Sequence, residues 1–394
     1  MDHRPADAAA GPTERSHAGV RRPRRRRVLG IVALVLVAVL AAPSWSYAAA
    51  LTAPGSAAWT TRTVDWLRDH GASPVVDAVE NWWFSIHPPA DVAPPATQLP
   101  EATGPAAGPR PARSTTLPVL TGAYPDHLLP EENVWQTRRV GRHGGVLLAS
   151  AFIRPDPKHA GVVAGVVGMP QPGVAAHLVA GTTMPGGPSW PGHADVPRSD
   201  IPALVATFNS GWRTKDITGG FRLGGQTWPA LQDGQATAVI DRDGRLDVGA
   251  WGRDFGARSD VVAARQNLAL VVDAGAAVPG LDSNLGHSWG YRDNQHQFTY
   301  RSGLGVDRHG DIIYVAGAKM TLSVLASAMV DAGVVRGMQL DVHNSFPFLA
   351  IWTHQDGSDQ ATKLLPTMAH GADRYLSPDQ RDFFYVTASG SSAP

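Results

Sequence analysis

The sequence predicts an α+β domain built on mixed sheets, carried behind a single N-terminal transmembrane helix. Short runs of small, apolar and β-branched residues recur between turn formers, as in a strand-rich core. One stretch, Thr321 to Ala332, has clear helical periodicity, with Leu322, Leu325, Ala326 and Met329 on one face. An uncharged stretch from Val28 to Leu51 follows directly on a block of arginines, Arg21, Arg22, Arg24, Arg25, Arg26 and Arg27. Many short strands, few strong helices and no repeat period argue for α+β rather than a regular strand–helix alternation.

Residues 1–27 are polar, basic and rich in Ala and Pro, and read as a disordered cytoplasmic tail. Residues 28–51 are long enough to span a bilayer. Arginines on their N-terminal side place that end inside and everything after Leu51 outside, so the expected location is the cell membrane, single-pass, with an extracytoplasmic domain. The rival is a cleaved signal peptide, for which Ser46-Tyr47-Ala48 offers small residues. Residues 52–116 form a juxtamembrane region. Between Ala57 and Phe84 the apolar residues suit one or two amphipathic helices broken near Gly71 and Pro74, lying either at the membrane–water interface or on the domain. A Pro/Ala-rich extended linker follows from His87 to Pro118. The globular domain is expected over 117–387, with a flexible tail at 388–394.

The chain has 394 residues, 43% hydrophobic and 17% charged, with a formal net charge of +0. Because the arginine block concentrates positive charge near the N-terminus, the remainder is mildly acidic, which argues against a nucleic-acid partner. There are no cysteines, so neither a disulfide nor a thiol nucleophile is available.

Within the domain, Gly145 to Ile153, Ala160 to Met169, Ala203 to Phe208 and Leu268 to Val272 read as strands. Thr237 to Ile240 and Leu246 to Trp251 flank Asp241-Arg242-Asp243-Gly244, a hairpin with an Asp-Gly turn. The organising stretch is Tyr300 to Thr353. A strand, Tyr300 to Val306, turns at Asp307-Arg308-His309-Gly310 into a second, Asp311 to Gly317. The helix follows, with Thr321 placed as N-cap and Gly333 as the C-terminal stop. The buried run Gly337 to Asp341 then presents Asp341 at a strand end, where catalytic side chains are often placed.

Arg301-Ser302-Gly303-Leu304-Gly305, Met320-Thr321-Leu322 and Leu340-Asp341, in this order, resemble the phosphodiester glycosidase family. Upstream, Phe208-Asn209-Ser210-Gly211-Trp212, Gly219-Gly220-Phe221 and Arg265-Gln266-Asn267-Leu268 are similar to family segments too, so the resemblance covers about the last two-thirds of the chain. It implies cleavage of the bond between a sugar's anomeric carbon and a phosphodiester oxygen. On matching positions it implies Asp341 as nucleophile, base or electrostatic stabiliser, Arg301 as phosphate contact, and Asn209 as holder of a sugar hydroxyl or water. Ser302 and Gly303 belong to the same phosphate segment. The family usually follows Leu-Asp with Gly-Gly-Gly-Ser-Ser, whereas this chain has Val342-His343-Asn344-Ser345-Phe346. His343 and Asn344 are therefore candidate donors replacing lost backbone amides, and Asp273 is a further candidate in a loop.

No metal and no cofactor are expected, since a lone Asp-x-His is more often structural than ligating. The expected function is hydrolysis of a sugar-phosphate diester of an envelope glycan or glycolipid. The alternative is a non-catalytic carbohydrate- or envelope-binding module on the same fold.

Overall fold

A computed structural model of the chain describes residues 41–52, 58–95, 99–100, 117–142, 144–171, 173–256, 260–291, 293–343, 346–355 and 358–390. The tail 1–27, residues 28–40 of the predicted span, most of the Pro/Ala-rich linker, Asn344 and 391–394 lie outside the described residues. The chain divides into two compact units, Met1–Ala53 and Pro54–Pro394. In the first, residues 41–52 are helical. Among the described residues no helix is long and apolar enough to cross a membrane.

The second unit begins with two helices, α1 (Trp59–Leu67) and α2 (Ser73–Ile86). They are broken by the turn Arg68–Ala72, where Gly71 takes φ 86°, a left-handed conformation that glycine adopts without a Cβ penalty. This is the break expected near Gly71 and Pro74. Among the described residues, eighteen strands in three sheets and one further α-helix follow.

The largest sheet contains β1 (Gln136–Val140), β2 (Val146–Ile153), β3 (Ala164–Met169), β11 (Leu270–Asp273), β12 (Ala276–Ala277), β13 (Thr299–Asp307), β14 (Ile312–Met320) and β15 (Val334–Val342). Its order is β1-β2-β3-β14-β13-β15-β11-β12. A second sheet holds β6 (Phe221–Leu223), β7 (Gln226–Thr227), β8 (Ala236–Asp241), β9 (Leu246–Ala250) and β10 (Val261–Gln266). The third is built from β4 (Val174–Val179), β5 (Leu204–Asn209), β16 (Leu349–Gln355), β17 (Ser358–Lys363) and β18 (Phe383–Ala388).

The sheets are antiparallel rather than mixed. Among the described residues every strand pair in them runs antiparallel, and only an isolated bridge, Trp251 to Phe255, is parallel. The strand–helix–strand unit that suggested parallel pairing is present: α3 (Leu322–Asp331) joins β14 to β15. These two strands do run in the same direction, but β13 lies between them and pairs antiparallel with both.

Helix α3 forms as its pattern demands. Thr321 Oγ1 accepts from Val324 N at 3.3 Å, and Gly333 stops it at φ 80°. Strand β14 is buried on both faces. Ile312, Tyr314 and Ala316 join the core shared with the other two sheets, while Ile313 and Val315 pack with α3. That two-sided burial explains its continuous apolar sequence. A Cβ on Gly303 would stand 2.5 Å from Met329 Sδ of α3, and one on Gly305 2.4 Å from Val334 Cγ1. Gly303, expected to bind substrate, is therefore a close-packing position between β13 and α3.

Candidate functional site

Three chain segments converge at one end of the domain. Strand β15 ends beside Asp341, β5 ends in Asn209-Ser210-Gly211, and the loop before β18 supplies Arg374, Tyr375 and Arg381. Together with Phe346 and Asp382 they line a narrow cleft.

Long-range polar contacts set this geometry. Arg265, fully buried in β10, donates from Nε to Asp382 Oδ2 at 2.7 Å and from Nη2 to the carbonyl of Trp212. Asp379 accepts from Arg374 Nε at 2.8 Å and from the Arg381 amide at 2.9 Å. These pairs brace the loop from 374 to 382. Asn267 ties the other two segments together: its Nδ2 donates to Gln339 O at 2.7 Å, and its Oδ1 accepts from Trp212 N at 3.1 Å. Gly211 is required there, since a Cβ would lie 2.8 Å from Asn267 Cγ.

Asp341 is 6% exposed. Its Oδ1 accepts from the Val342 amide at 2.9 Å, and its Oδ2 is ion-paired with Arg381 Nη2. Burial pushes the carboxyl up to about 6, and the Arg381 charge offsets only part of that cost. Arg381 also donates to Gly211 O at 3.3 Å and lies over the Phe346 ring, 4.5 Å from its centroid. Its Nε, together with Ser210 Oγ and Tyr375 Oη, is buried with no hydrogen-bond partner among the described residues. Tyr375 is 1% exposed, and burial raises its phenol well above the usual range, so it stays protonated and able to donate. Unmet polar atoms are rare in folded interiors, and three of them line this one cleft.

Among the expected residues, Asp341 and Asn209 reach the cleft. The amide of Asn209 is nevertheless committed. Its Oδ1 accepts from Tyr314 Oη at 2.8 Å and the Phe348 amide at 2.9 Å, while its Nδ2 donates to Ser210 O at 2.8 Å and Ser302 Oγ at 3.1 Å. Ser302 Oγ in turn donates to Asp341 O at 3.1 Å, so both residues brace the strand ends.

Arg301 does not reach the cleft. Strand alternation turns it to the face opposite Ser302. It is 1% exposed, and its guanidinium donates to Met320 O and Gln339 Oε1, both at 2.8 Å, and to Asn294 O. Burial without a carboxylate partner lowers it to about 9. Asp273 pairs with Arg253 at 2.6 Å on the β11–β12 hairpin and does not line the cleft. His343 sits at φ 72° beside α2. Burial, with the positive charges of Arg68 and Arg301, holds its imidazole below the usual range, so it is neutral.

Sequence reading missed Arg381, Arg374 and Tyr375. The only local signal was the density of charge from Asp373 to Asp382, in a stretch without periodicity. Among the described residues no group of His, Asp and Glu is arranged to hold a metal ion. A larger groove lies between β4 and the β8–β10 sheet, where His177 stacks on Tyr385 at 4.4 Å. Its walls are mainly aliphatic, so the chemistry points to the smaller cleft.

No family model and no curated protein matches the chain. Among solved structures it is similar to the zebrafish N-acetylglucosamine-1-phosphodiester alpha-N-acetylglucosaminidase catalytic domain auto-inhibited by its pro-peptide, at 16% identity and TM-score 0.41, over 65% of this chain and 88% of that one. A hypothetical protein from Synechocystis is similar at 14% identity and TM-score 0.34, over 64% of this chain and 62% of that one. A putative exported protein from Burkholderia pseudomallei is similar at 13% identity and TM-score 0.31, over 58% and 74%.

Proposed function

We propose that this chain is a membrane-anchored extracytoplasmic hydrolase that cleaves the bond between a sugar and a phosphodiester in an envelope glycan or glycolipid. The observation that carries the reading is the buried Asp341–Arg381 pair at a strand end, in a cleft with unspent donors on Ser210, Tyr375 and Arg381. Arg381 replaces Arg301 as the phosphate contact, because a guanidinium with a free Nε–H suits a phosphate oxygen. Asp341 serves the anomeric carbon. In its ionised form it stabilises oxocarbenium-like charge or takes the proton of the attacking water. The sugar–oxygen bond breaks, its electron pair leaves on the phosphate, and water supplies the new hydroxyl. That leaving group is already anionic, so a second carboxylic acid is not required. Asp382, bound to Arg265, remains structural.

A panel of chromogenic sugar phosphodiesters tests this. Turnover by the wild type, lost in Asp341→Asn, supports it. Binding without turnover on every member of the panel would favour the binding-module alternative.

A further inference from the structure

Helix α2 has two faces of opposite chemistry. Asp77, Glu80, Asn81 and Phe84 face the domain and the preceding turn. Phe84 stacks on His343 with ring centroids 5.9 Å apart, and Asn81 Oδ1 accepts from Gln297 Nε2. Arg68 pairs with Asp77 at 2.7 Å and Glu80 at 2.6 Å. The chain leaving α2 is fastened as well: Gly161 N donates to Ala90 O at 2.9 Å and Lys319 Nζ to Pro88 O at 3.3 Å. The opposite face carries Val75, Val79, Trp82, Trp83 and Ile86, spaced as one helical stripe and exposed at 66%, 56%, 58%, 50% and 50%. A contiguous apolar stripe of this kind on a docked helix marks an interaction surface.

We infer that this stripe lies in the interfacial region of a lipid bilayer, with α2 parallel to the membrane plane. The inference rests on the anchored reading above. Three observations select lipid as the occupant. The uncharged run Val28 to Leu51 is separated from α1 by residues 52–58 only, so an anchored run leaves α1 a tether of at most about 25 Å. Paired tryptophans have the amphipathic rings that settle at the membrane–water boundary. The carboxylates of α1, α2 and the turn between them are committed elsewhere: Asp65 to Arg213, Asp69 to Arg213 and Lys215, Asp77 and Glu80 to Arg68. They therefore do not leave an unpaired acidic group to repel anionic headgroups. Because α2 also touches His343, two residues past Asp341, the arrangement keeps that flank of the cleft about 10–12 Å, one helix diameter, from the lipid.

The chain has no cysteine, so Val79→Cys gives a single labelling site in the full-length protein, and Val119→Cys, at a position 88% exposed, gives a control. Both variants are labelled with an environment-sensitive fluorophore and reconstituted into phosphatidylcholine vesicles whose acyl chains are brominated. Quenching several-fold stronger for Val79→Cys than for Val119→Cys is expected. Equal, weak quenching of both would overturn the inference. So would an intermolecular disulfide of unlabelled Val79→Cys formed where the lipid does not quench, since a second copy would then cover the stripe. Alkaline carbonate extraction separates the two readings. Release of the chain defeats the anchoring, and quenching in untreated vesicles still decides the docking. Retention with an unquenched Val79→Cys label defeats the docking alone.

Discussion

Two arginines, Arg301 fully buried and Arg381 partly so, separate the scaffold of this domain from its candidate chemistry. Arg301, in the middle of β13, gives its guanidinium to Met320 O, Gln339 Oε1 and Asn294 O, with no carboxylate beside it. Arg381, in a loop braced by Asp379 and Asp382, holds one carboxylate, lies over an aromatic ring, and keeps one N–H unspent in a cleft. Both are arginines in an apolar setting, yet only the second has capacity left for an anion. A guanidinium whose donors all serve carbonyls stitches strands together. One that shares a cleft with a raised carboxyl is placed to meet a ligand.

The sharpest way to break this contrast is at Asp341. Asp341→Asn should lower turnover on a sugar phosphodiester by roughly two to three orders of magnitude, the scale of losing one preorganised charge. The fold should persist, which circular dichroism will show. On the scaffold side, Arg301→Met leaves buried carbonyls of Met320 and Asn294 without their donor, and should cost about 3 kcal/mol in urea unfolding. Protein that remains folded should keep its kcat.

The folded carboxyl of Asp341 stands at about 6, above its ordinary 3.8. Relative to the unfolded chain it holds its proton more tightly. Its contribution to stability is therefore full below about pH 4 and is lost as pH rises through 6. Activity moves the other way, with kcat/KM rising through an apparent pKa near 6 as the carboxylate forms. Asp341→Asn should lose that limb of the stability profile. The smallest effect is expected at Val79→Asp, where the exposed side chain makes stability change by no more than about 0.5 kcal/mol, while lipid contact of α2 weakens.

Local physics made much of the fold legible. The α3 stripe, its Thr321 cap and Gly333 stop depend on neighbours within a few turns, and the apolar run of β14 follows from burial on both faces. The place of Asp341 at the end of β15 was legible for the same reason, since it closes the buried run from Gly337. The antiparallel order was not, because nothing in the sequence of β14, α3 and β15 reveals that β13 inserts between the two strands. Gly303 was misread because a glycine under a helix and a glycine at a ligand look alike until Met329 is placed over it. Arg381 was hidden because its position is fixed by contacts far apart in sequence: Arg265 with Asp382 braces its loop, and its own partner is Asp341. The sequence around it shows only a charged turn.

Arg381→Lys and Arg301→Lys, compared on one sugar phosphodiester by kcat/KM and Tm against the wild type, separate the cleft arginine from the scaffold arginine. Lysine keeps the charge but loses the forked contact. Arg381→Lys should lose about 1–3 kcal/mol of phosphodiester recognition, roughly 5- to 150-fold in kcat/KM, with little change in Tm. Arg301→Lys should lower Tm and leave kcat/KM of the folded protein near wild type. The reverse pattern, with activity lost at Arg301 and untouched at Arg381, would contradict the assignment of the cleft.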